Sequence, residues 1–313
     1  MLTGSAPLIA VVGPTGSGKT ALALSLAEQL GAEIVSADSM QFYQGMEIGS
    51  AAPTPAERAR APHHFVAFLS PAESMNAGAY AEAARRLVMD AQEDNRPLVI
   101  VGGSGLYLSA LIDGIFEGPP RQPELRERLQ AEAAALGNNA LMQRLQRVDP
   151  EYAATLTSEN DLVRIVRALE VYQVSGTPFS ELHRRHQALC PSLPVRQVAL
   201  AYPRPELYAR IEARVEQMLE LGWLDEVRAL LEAGHEQDIV RLKALGYREL
   251  ISVLRGEQAL EAATTAIKQH HRRYAKRQLT WFRADDRIAW LDASAPLEIL
   301  ARAALQHGSA LTP

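Results

Sequence analysis

At 313 residues the chain can hold a full α/β domain and something extra, about two domains by length alone. Hydrophobic residues at 47% and charged residues at 22% are ordinary for a folded globular protein, and a net charge of −5 excludes a surface coated in positive charge while leaving room for a local basic groove. The single cysteine, Cys190, excludes an internal disulfide and a cysteine-built zinc site, and fits a reducing, cytoplasmic setting.

The first residues, Met1–Ser5, lack the charged segment and cleavage site of a secretory signal. Leu8–Val12 is an apolar run that reads as a buried strand. It leads into Gly13-Pro14-Thr15-Gly16-Ser17-Gly18-Lys19-Thr20, the spacing G-x-x-x-x-G-K-T, and a helix is expected over Lys19–Leu30. Glycines let successive N–H groups point into one concavity, with the positive end of the helix dipole behind them. Lys19 adds a point charge, and the Thr20 hydroxyl is placed to ligate Mg²⁺. A chain with this element binds a di- or triphosphate.

Glu33–Asp38 reads as a second strand, Tyr80–Glu93 as an amphipathic helix, and Pro97–Val101 as a third strand entering Gly102-Gly103-Ser104-Gly105. The apolar stretch Leu98–Phe116 is broken by Gly102, Gly103, Gly105 and Asp113, so no membrane span is expected there. Strands separated by helices argue for a parallel sheet covered on both faces, with ligands at the carboxyl ends of the strands. That places the phosphate loop, Asp38 and Ser104 around one crevice. Between Pro119 and about Leu189 the pattern is helical without a strand, and Gln197–Tyr202 then resumes the sheet. Helices follow over Pro205–Leu221, Trp223–Glu232 and Leu260–Arg283, and Arg287–Leu291 is a last short strand. The expected architecture is α/β: a P-loop NTPase-like parallel sheet flanked by helices, with an all-helical insertion. Residues 1–118 form the first part of the core, 119–189 the insertion, and 190–313 the core continuation with basic C-terminal helices.

A P-loop ATPase normally carries a carboxylate at the end of a later strand, yet Leu98–Val101 runs into glycines. The carboxylate sits instead at Asp38, which could support Mg²⁺, act as a general base, or simply cap a loop by accepting backbone N–H groups. Lys268–Arg283 contains no acidic residue and interleaves basic groups with Tyr274, Trp281 and Phe282. Such a stretch is either a phosphate-backbone footprint or a solvated face, and its aromatics either stack on bases or pack the helix onto the core. Arg164 and Arg167 share a helix face in the insertion, and Lys243–Arg248 joins a glycine, an aromatic and basic residues.

GPTGSGKT (Gly13–Thr20), SADSMQFYQGMEIGSAAP (Ser36–Pro53), VGGSGLY (Val101–Tyr107), RIVRALEVYQVSG (Arg164–Gly176), RIEARVEQML (Arg210–Leu219), KALGYRE (Lys243–Glu249) and AKRQLTWFR (Ala275–Arg283) occur in this order. With these motifs the chain closely resembles the bacterial tRNA dimethylallyltransferases over nearly its whole length. The resemblance implies transfer of a dimethylallyl group from dimethylallyl diphosphate to N6 of the adenosine at tRNA position 37, just 3′ of the anticodon. It implies that Gly13, Pro14, Thr15, Gly16, Ser17, Gly18, Lys19 and Thr20 grip the diphosphate, with Mg²⁺ on Thr20 and a further contact from Arg214. Asp38 becomes the general base on the amine, and Ser104 lies near the amine or the diphosphate. Family members hold tRNA between a core and a helical insertion, with the target base turned out of its stack. The tRNA contacts carried over are Asp38, Ser39, Met40, Gln41, Ser104, Arg126, Val163, Arg164, Arg167, Lys243, Gly246, Tyr247, Arg248, Arg277, Gln278, Trp281 and Arg283. The expected partners are therefore a tRNA anticodon loop and dimethylallyl diphosphate, with no membrane and no obligate protein partner. A P-loop kinase passing phosphoryl from ATP to a small molecule or nucleoside is the alternative, and prenylation of free adenine nucleotides is a close variant.

Overall fold

The computed structural model describes residues 6–116, 118–156 and 158–306; the signal-peptide reading of Met1–Ser5 falls outside them. Five consecutive apolar residues make β1 (Leu8–Val12), and all five are buried, as a central strand covered on both faces requires. Around it the strands β2 (Glu33–Ser36), β3 (His63–His64), β4 (Leu98–Gly102), β5 (Arg196–Ala201) and β6 (Ile288–Asp292) assemble in the order β3-β2-β4-β1-β5-β6. Every pairing is parallel, with Val11 opposite Val101 on one side and Val198 on the other. Parallel neighbours need crossover helices, and α1 (Lys19–Leu30) and α3 (Ala77–Glu93) supply them. Leu22, Leu24 and Leu26 of α1 pack with Ile9, Val99 and Val198, and α15 (Leu297–Gln306) closes that cluster with Leu300, Ala301 and Ala304.

Several boundaries differ from the sequence pattern for identifiable reasons. β2 stops at Ser36 instead of reaching Asp38, because the Asp38 carboxylate accepts the Met40 N–H at 3.1 Å and turns the chain. α3 starts at Ala77, where Asn76 caps it by accepting the Ala79 N–H. The short α2 (Pro55–Arg58), opened by a Thr54–Glu57 capping box, and the two-residue β3 carry too little pattern to be read from sequence. α4 (Gly105–Asp113) opens on a glycine, where a side chain would meet Trp281 Nε1 at 2.4 Å.

The chain divides into two compact units, 1–112 together with 194–313, and 113–193. Pro119 and Cys190 lie inside the second unit, near its ends. That unit contains α5 (Pro123–Leu136), α6 (Asn138–Val148), α7 (Pro150–Thr155), α8 (Leu162–Ser175) and α9 (Phe179–Leu189), and no strand among its described residues. Leu129, Leu141, Leu145, Ile165 and Leu169 form its core. The first unit continues through α10 (Arg204–Glu220), α11 (Trp223–Glu232), α12 (Glu236–Leu242), α13 (Tyr247–Leu254) and α14 (Leu260–Arg283). Among the described residues no helix is long and apolar enough to cross a membrane.

Candidate active site

The turn after β1 takes the conformation its glycines permit: φ is 127° at Gly13, 78° at Gly16 and 86° at Gly18. At Gly16 a Cβ would also lie 2.8 Å from Ile211 Cγ1 of α10, so backbone must pass there. Lys19 Nζ and Ser17 Oγ both donate to the Pro14 carbonyl, at 2.7 and 2.9 Å, curling the loop on itself. Arg210 Nε donates to Gly16 O at 2.9 Å while its guanidinium lies over the Tyr202 ring. Gly18 caps α1 without a side-chain bond, which leaves the first-turn N–H groups to an anion.

Gln278 of α14 fastens this loop to the end of β4. Its Oε1 accepts the Thr15 N–H at 2.9 Å, and its Nε2 donates to Gly103 O at 2.9 Å. Thr15 N–H, at the edge of the recess, is held by Gln278 in this arrangement. Gln278, 5% exposed, is a strut of the loop and lines the same recess as Thr15, Lys19 and Asp38.

Lys19, Thr20, Ser36, Asp38, Gln41 and Arg214 line one recess beside the loop. Burial lowers the Lys19 pKa to about 8, helped by the nearby Arg214 and opposed by Asp38. Burial likewise lowers Arg214. At Asp38 burial raises the pKa against the pull of the Met40 N–H, Lys19 and Arg214. Two cations facing one carboxylate leave a net positive recess suited to an anion. Arg214 Nη2 reaches the Ala51 carbonyl at 3.4 Å, and Gln41 Nε2 reaches the same oxygen at 3.2 Å. Gln41 Oε1 in turn accepts from Ser36 Oγ at 2.9 Å, so Gln41 is engaged within the loop that carries Asp38.

Ser104 joins the loops that follow β2 and β4. Its Oγ accepts the Ser39 N–H at 3.0 Å and lies 3.3 Å from Ser39 Oγ. Tyr274 of α14 also belongs here: burial, with the Asp38 charge behind it, pushes its hydroxyl up to about 12 against the pull of Ser104, Arg277 and Gln278. From sequence alone Tyr274 reads as a residue that stacks or packs. Its spacing from Gln278, one helical turn, was the available signal.

The basic stretch of α14 divides into paired and unpaired faces. Lys268 and Arg272 bond Glu216 and Glu212 of α10. Arg273, Lys276, Arg277 and Arg283 are exposed, with Arg277 over the Tyr274 ring and Arg283 over Trp290. Phe282 is 3% exposed and packs fully, whereas Trp281 lays its indole on Gly105 yet stays 39% exposed. Tyr247 corrects the reading of the Lys243–Arg248 segment: it is 1% exposed and its hydroxyl donates to Glu226, which leaves it nothing to offer RNA. Gly246 is enclosed as well, since a Cβ there would meet Trp223 Cη2 at 2.2 Å. Lys243 ends α12 at φ 56°, and Arg248 Nη2 reaches the Val240 carbonyl at 3.4 Å.

In the helical unit, Glu170 is fully buried and gathers its partners. Arg126 bonds it through two nitrogens at 2.8 Å each, Arg167 Nη1 at 2.7 Å and the Gln122 N–H at 2.7 Å. Burial alone would raise this carboxyl, and the three donors hold it down to about 2. Arg126 and Arg167 therefore hold Glu170 in place, and two cations on one carboxylate leave the pair net positive and partly exposed. On α8, Arg164 sits 3.4 Å from Asp161, and Val163 is 79% exposed.

The family model described as IPP transferase matches residues 41–285. A tRNA dimethylallyltransferase 1 from Pelobacter propionicus is 46% identical over 285 residues, covering 91% of this chain and 92% of the relative. A tRNA dimethylallyltransferase from Anaeromyxobacter sp. (strain K) is 46% identical over 299 residues, covering 96% and 97%. Among solved structures, the tRNA isopentenylpyrophosphate transferase from Bacillus halodurans superposes with a TM-score of 0.68 at 35% identity, over 95% of this chain and 93% of that one. A eukaryotic dimethylallyltransferase captured acting on tRNA gives a TM-score of 0.76 at 25% identity, over 92% of this chain and 74% of that one.

Proposed function

Since the chain belongs to the IPP transferase family, we propose that it alkylates N6 of the adenosine 3′ of a tRNA anticodon with the dimethylallyl group of dimethylallyl diphosphate. The observation that carries this reading is the recess itself: a phosphate loop, Lys19 and Arg214 on one side, and Asp38 of raised pKa facing them. An allylic C–O bond breaks readily once the departing oxygen's charge is neutralised, because the carbon fragment delocalises its positive charge. The N–H groups of the loop, with Lys19 and Arg214, are set where that charge develops. The bond from C1 to diphosphate oxygen breaks, the N6 lone pair bonds C1, and the amine proton passes to the Asp38 carboxylate. A base whose pKa is raised holds that proton better than an ordinary aspartate.

Among the described residues no group of three or more His, Cys, Asp or Glu side chains gathers to hold a metal. A hydroxyl at Thr20 beside a diphosphate site suits Mg²⁺, which keeps water and substrate oxygens as most of its ligands. Bound there, the ion would supply further neutralisation of the leaving group. The exposed face of α14 around Arg273, Lys276, Arg277 and Arg283, with Trp281, is the proposed tRNA backbone contact in the core unit; Val163 and Arg164 are the proposed contacts of the helical unit. β4 ends on Gly102 without a carboxylate, and phosphoryl transfer from ATP is not favoured.

The test is incubation of the full chain with carbon-labelled dimethylallyl diphosphate and unmodified tRNA, beside γ-labelled ATP with the same tRNA. Label entering adenosine from the diphosphate alone supports the proposal; transfer or release of the ATP phosphate without prenylation defeats it.

A further inference from the structure

The Gly246-Tyr247 segment and α11 together act on the recess without lining it. Glu226, in the first turn of α11, receives three donors: the Ile48 N–H at 2.7 Å on Oε2, and the Gly49 N–H at 2.9 Å and the Tyr247 hydroxyl at 2.8 Å on Oε1. Tyr247 and Trp223 are both buried and meet edge to face, with ring centroids 5.7 Å apart. The backbone at Gly49 is pressed onto this pair: a Cβ there would lie 2.2 Å from Trp223 Nε1 and 2.4 Å from Tyr247 Oη. Gly246 admits the other edge of the same indole. Two glycines from separate motifs therefore exist to let backbone close on Trp223.

The segment held in this way is a tight turn. Ser50 N–H bonds Met46 O, Ala51 N–H bonds Ile48 O, and Ala52 N–H bonds Glu47 O, at 2.9 to 3.0 Å. At its tip Ala51 is forced to φ 51°, a conformation a non-glycine residue adopts only when its surroundings dictate it. The carbonyl so presented is the one that accepts from both Arg214 and Gln41. We propose that Glu226, Tyr247 and Trp223 are positioning residues that fix the Ile48–Ala51 turn, and through the Ala51 carbonyl aim the Arg214 guanidinium at the diphosphate. This rests on the reading of Arg214 as a diphosphate contact. Glu226 has a specific reason to be a carboxylate: it alone offers acceptors to two adjacent backbone N–H groups and a phenol at once.

The experiment is a double-mutant cycle on pyrophosphate affinity, measured by calorimetry on the full chain in Mg²⁺ buffer. Glu226→Gln keeps size but turns an amide N–H₂ toward one backbone donor, and should raise the pyrophosphate dissociation constant about tenfold, with tRNA affinity within about twofold of wild type. In an Arg214→Ala background the same substitution should change pyrophosphate affinity by less than about twofold, because the group it positions is gone. Tyr247→Phe removes one donor and should repeat the pattern at about threefold; it carries the test if Glu226→Gln fails to fold. Equal losses with and without Arg214, or no loss in the wild-type background, overturn the clamp while leaving the diphosphate reading intact. Failure of the wild-type chain to bind pyrophosphate overturns the diphosphate reading instead.

Discussion

Replacing Gln278 by leucine removes the acceptor of the Thr15 N–H and the donor to the Gly103 carbonyl in one step. The site is 5% exposed, so both partners are largely shielded from water. An orphaned buried polar group costs about 1–3 kcal/mol, and the two losses share one relaxation, so a total near 3 kcal/mol is expected. The functional cost should exceed the stability cost in specificity: the phosphate loop loses its tether to β4, and pyrophosphate affinity should fall about tenfold while tRNA affinity holds. Gln278→Glu separates the two bonds. It keeps an acceptor for Thr15 but sets a carboxylate oxygen against Gly103 O, and its stability deficit should shrink as pH falls and the introduced carboxyl gains a proton to donate. Urea titrations and pyrophosphate calorimetry on wild type and both variants read these effects. Unchanged stability and pyrophosphate affinity with weakened tRNA binding would refute the reasoning and return Gln278 to the RNA surface.

Asp38→Asn should slow single-turnover prenyl transfer by about 10²–10⁴ with tRNA still bound, and a rate near wild type removes the general-base role. Lys19 has a pKa of about 8 in the fold against 10.5 as its reference, so the unfolded chain holds more protons between those values. Its buried charge opposes folding below pH 8, and the penalty is relieved as pH rises from about 8 to 10.5. Bound pyrophosphate sets negative charge beside Lys19 and raises this pKa, so binding at about pH 8.5 should take up protons, read by calorimetry in buffers of different ionisation enthalpy; Lys19→Met should abolish the uptake, and uptake retained in that variant assigns it elsewhere. Arg126→Ala strands part of the charge on fully buried Glu170 and should cost about 3–5 kcal/mol in urea unfolding, whereas a neutral effect on stability with a large loss of tRNA affinity would make Arg126 an RNA contact after all.

The long elements were legible because hydrophobic period and breakers agree in them: α11 and α14 have the ends the sequence suggested. Edge strand β3 was not, since two residues carry no period. The membership of the family, read from ordered motifs, matches the relatives found. Within the site, the phosphate loop, Asp38 and Arg214 could be named from motifs, and they line one recess. What failed was the sorting of polar residues into inward and outward. On α14 the buried residues Ile267, His271, Ala275, Gln278 and Phe282 recur at helical spacing, so Gln278 lay on the apolar stripe and Arg277 beside it did not. The basic character of its neighbours masks that stripe in the sequence. Glu170 was harder: a buried carboxylate has no mark in the sequence until Arg126, from a different helix, is brought against it.

The central claim is that the glycine-lined turn captures pyrophosphate as a leaving group. Its most direct measurement is the stoichiometry of pyrophosphate released to modified adenosine formed, followed together in one reaction of the full chain with dimethylallyl diphosphate and unmodified tRNA. The account predicts one pyrophosphate for each N6-alkylated adenosine, with both falling together in Lys19→Ala. Pyrophosphate release without alkylated adenosine, or alkylation that persists at wild-type rate in Lys19→Ala, contradicts it.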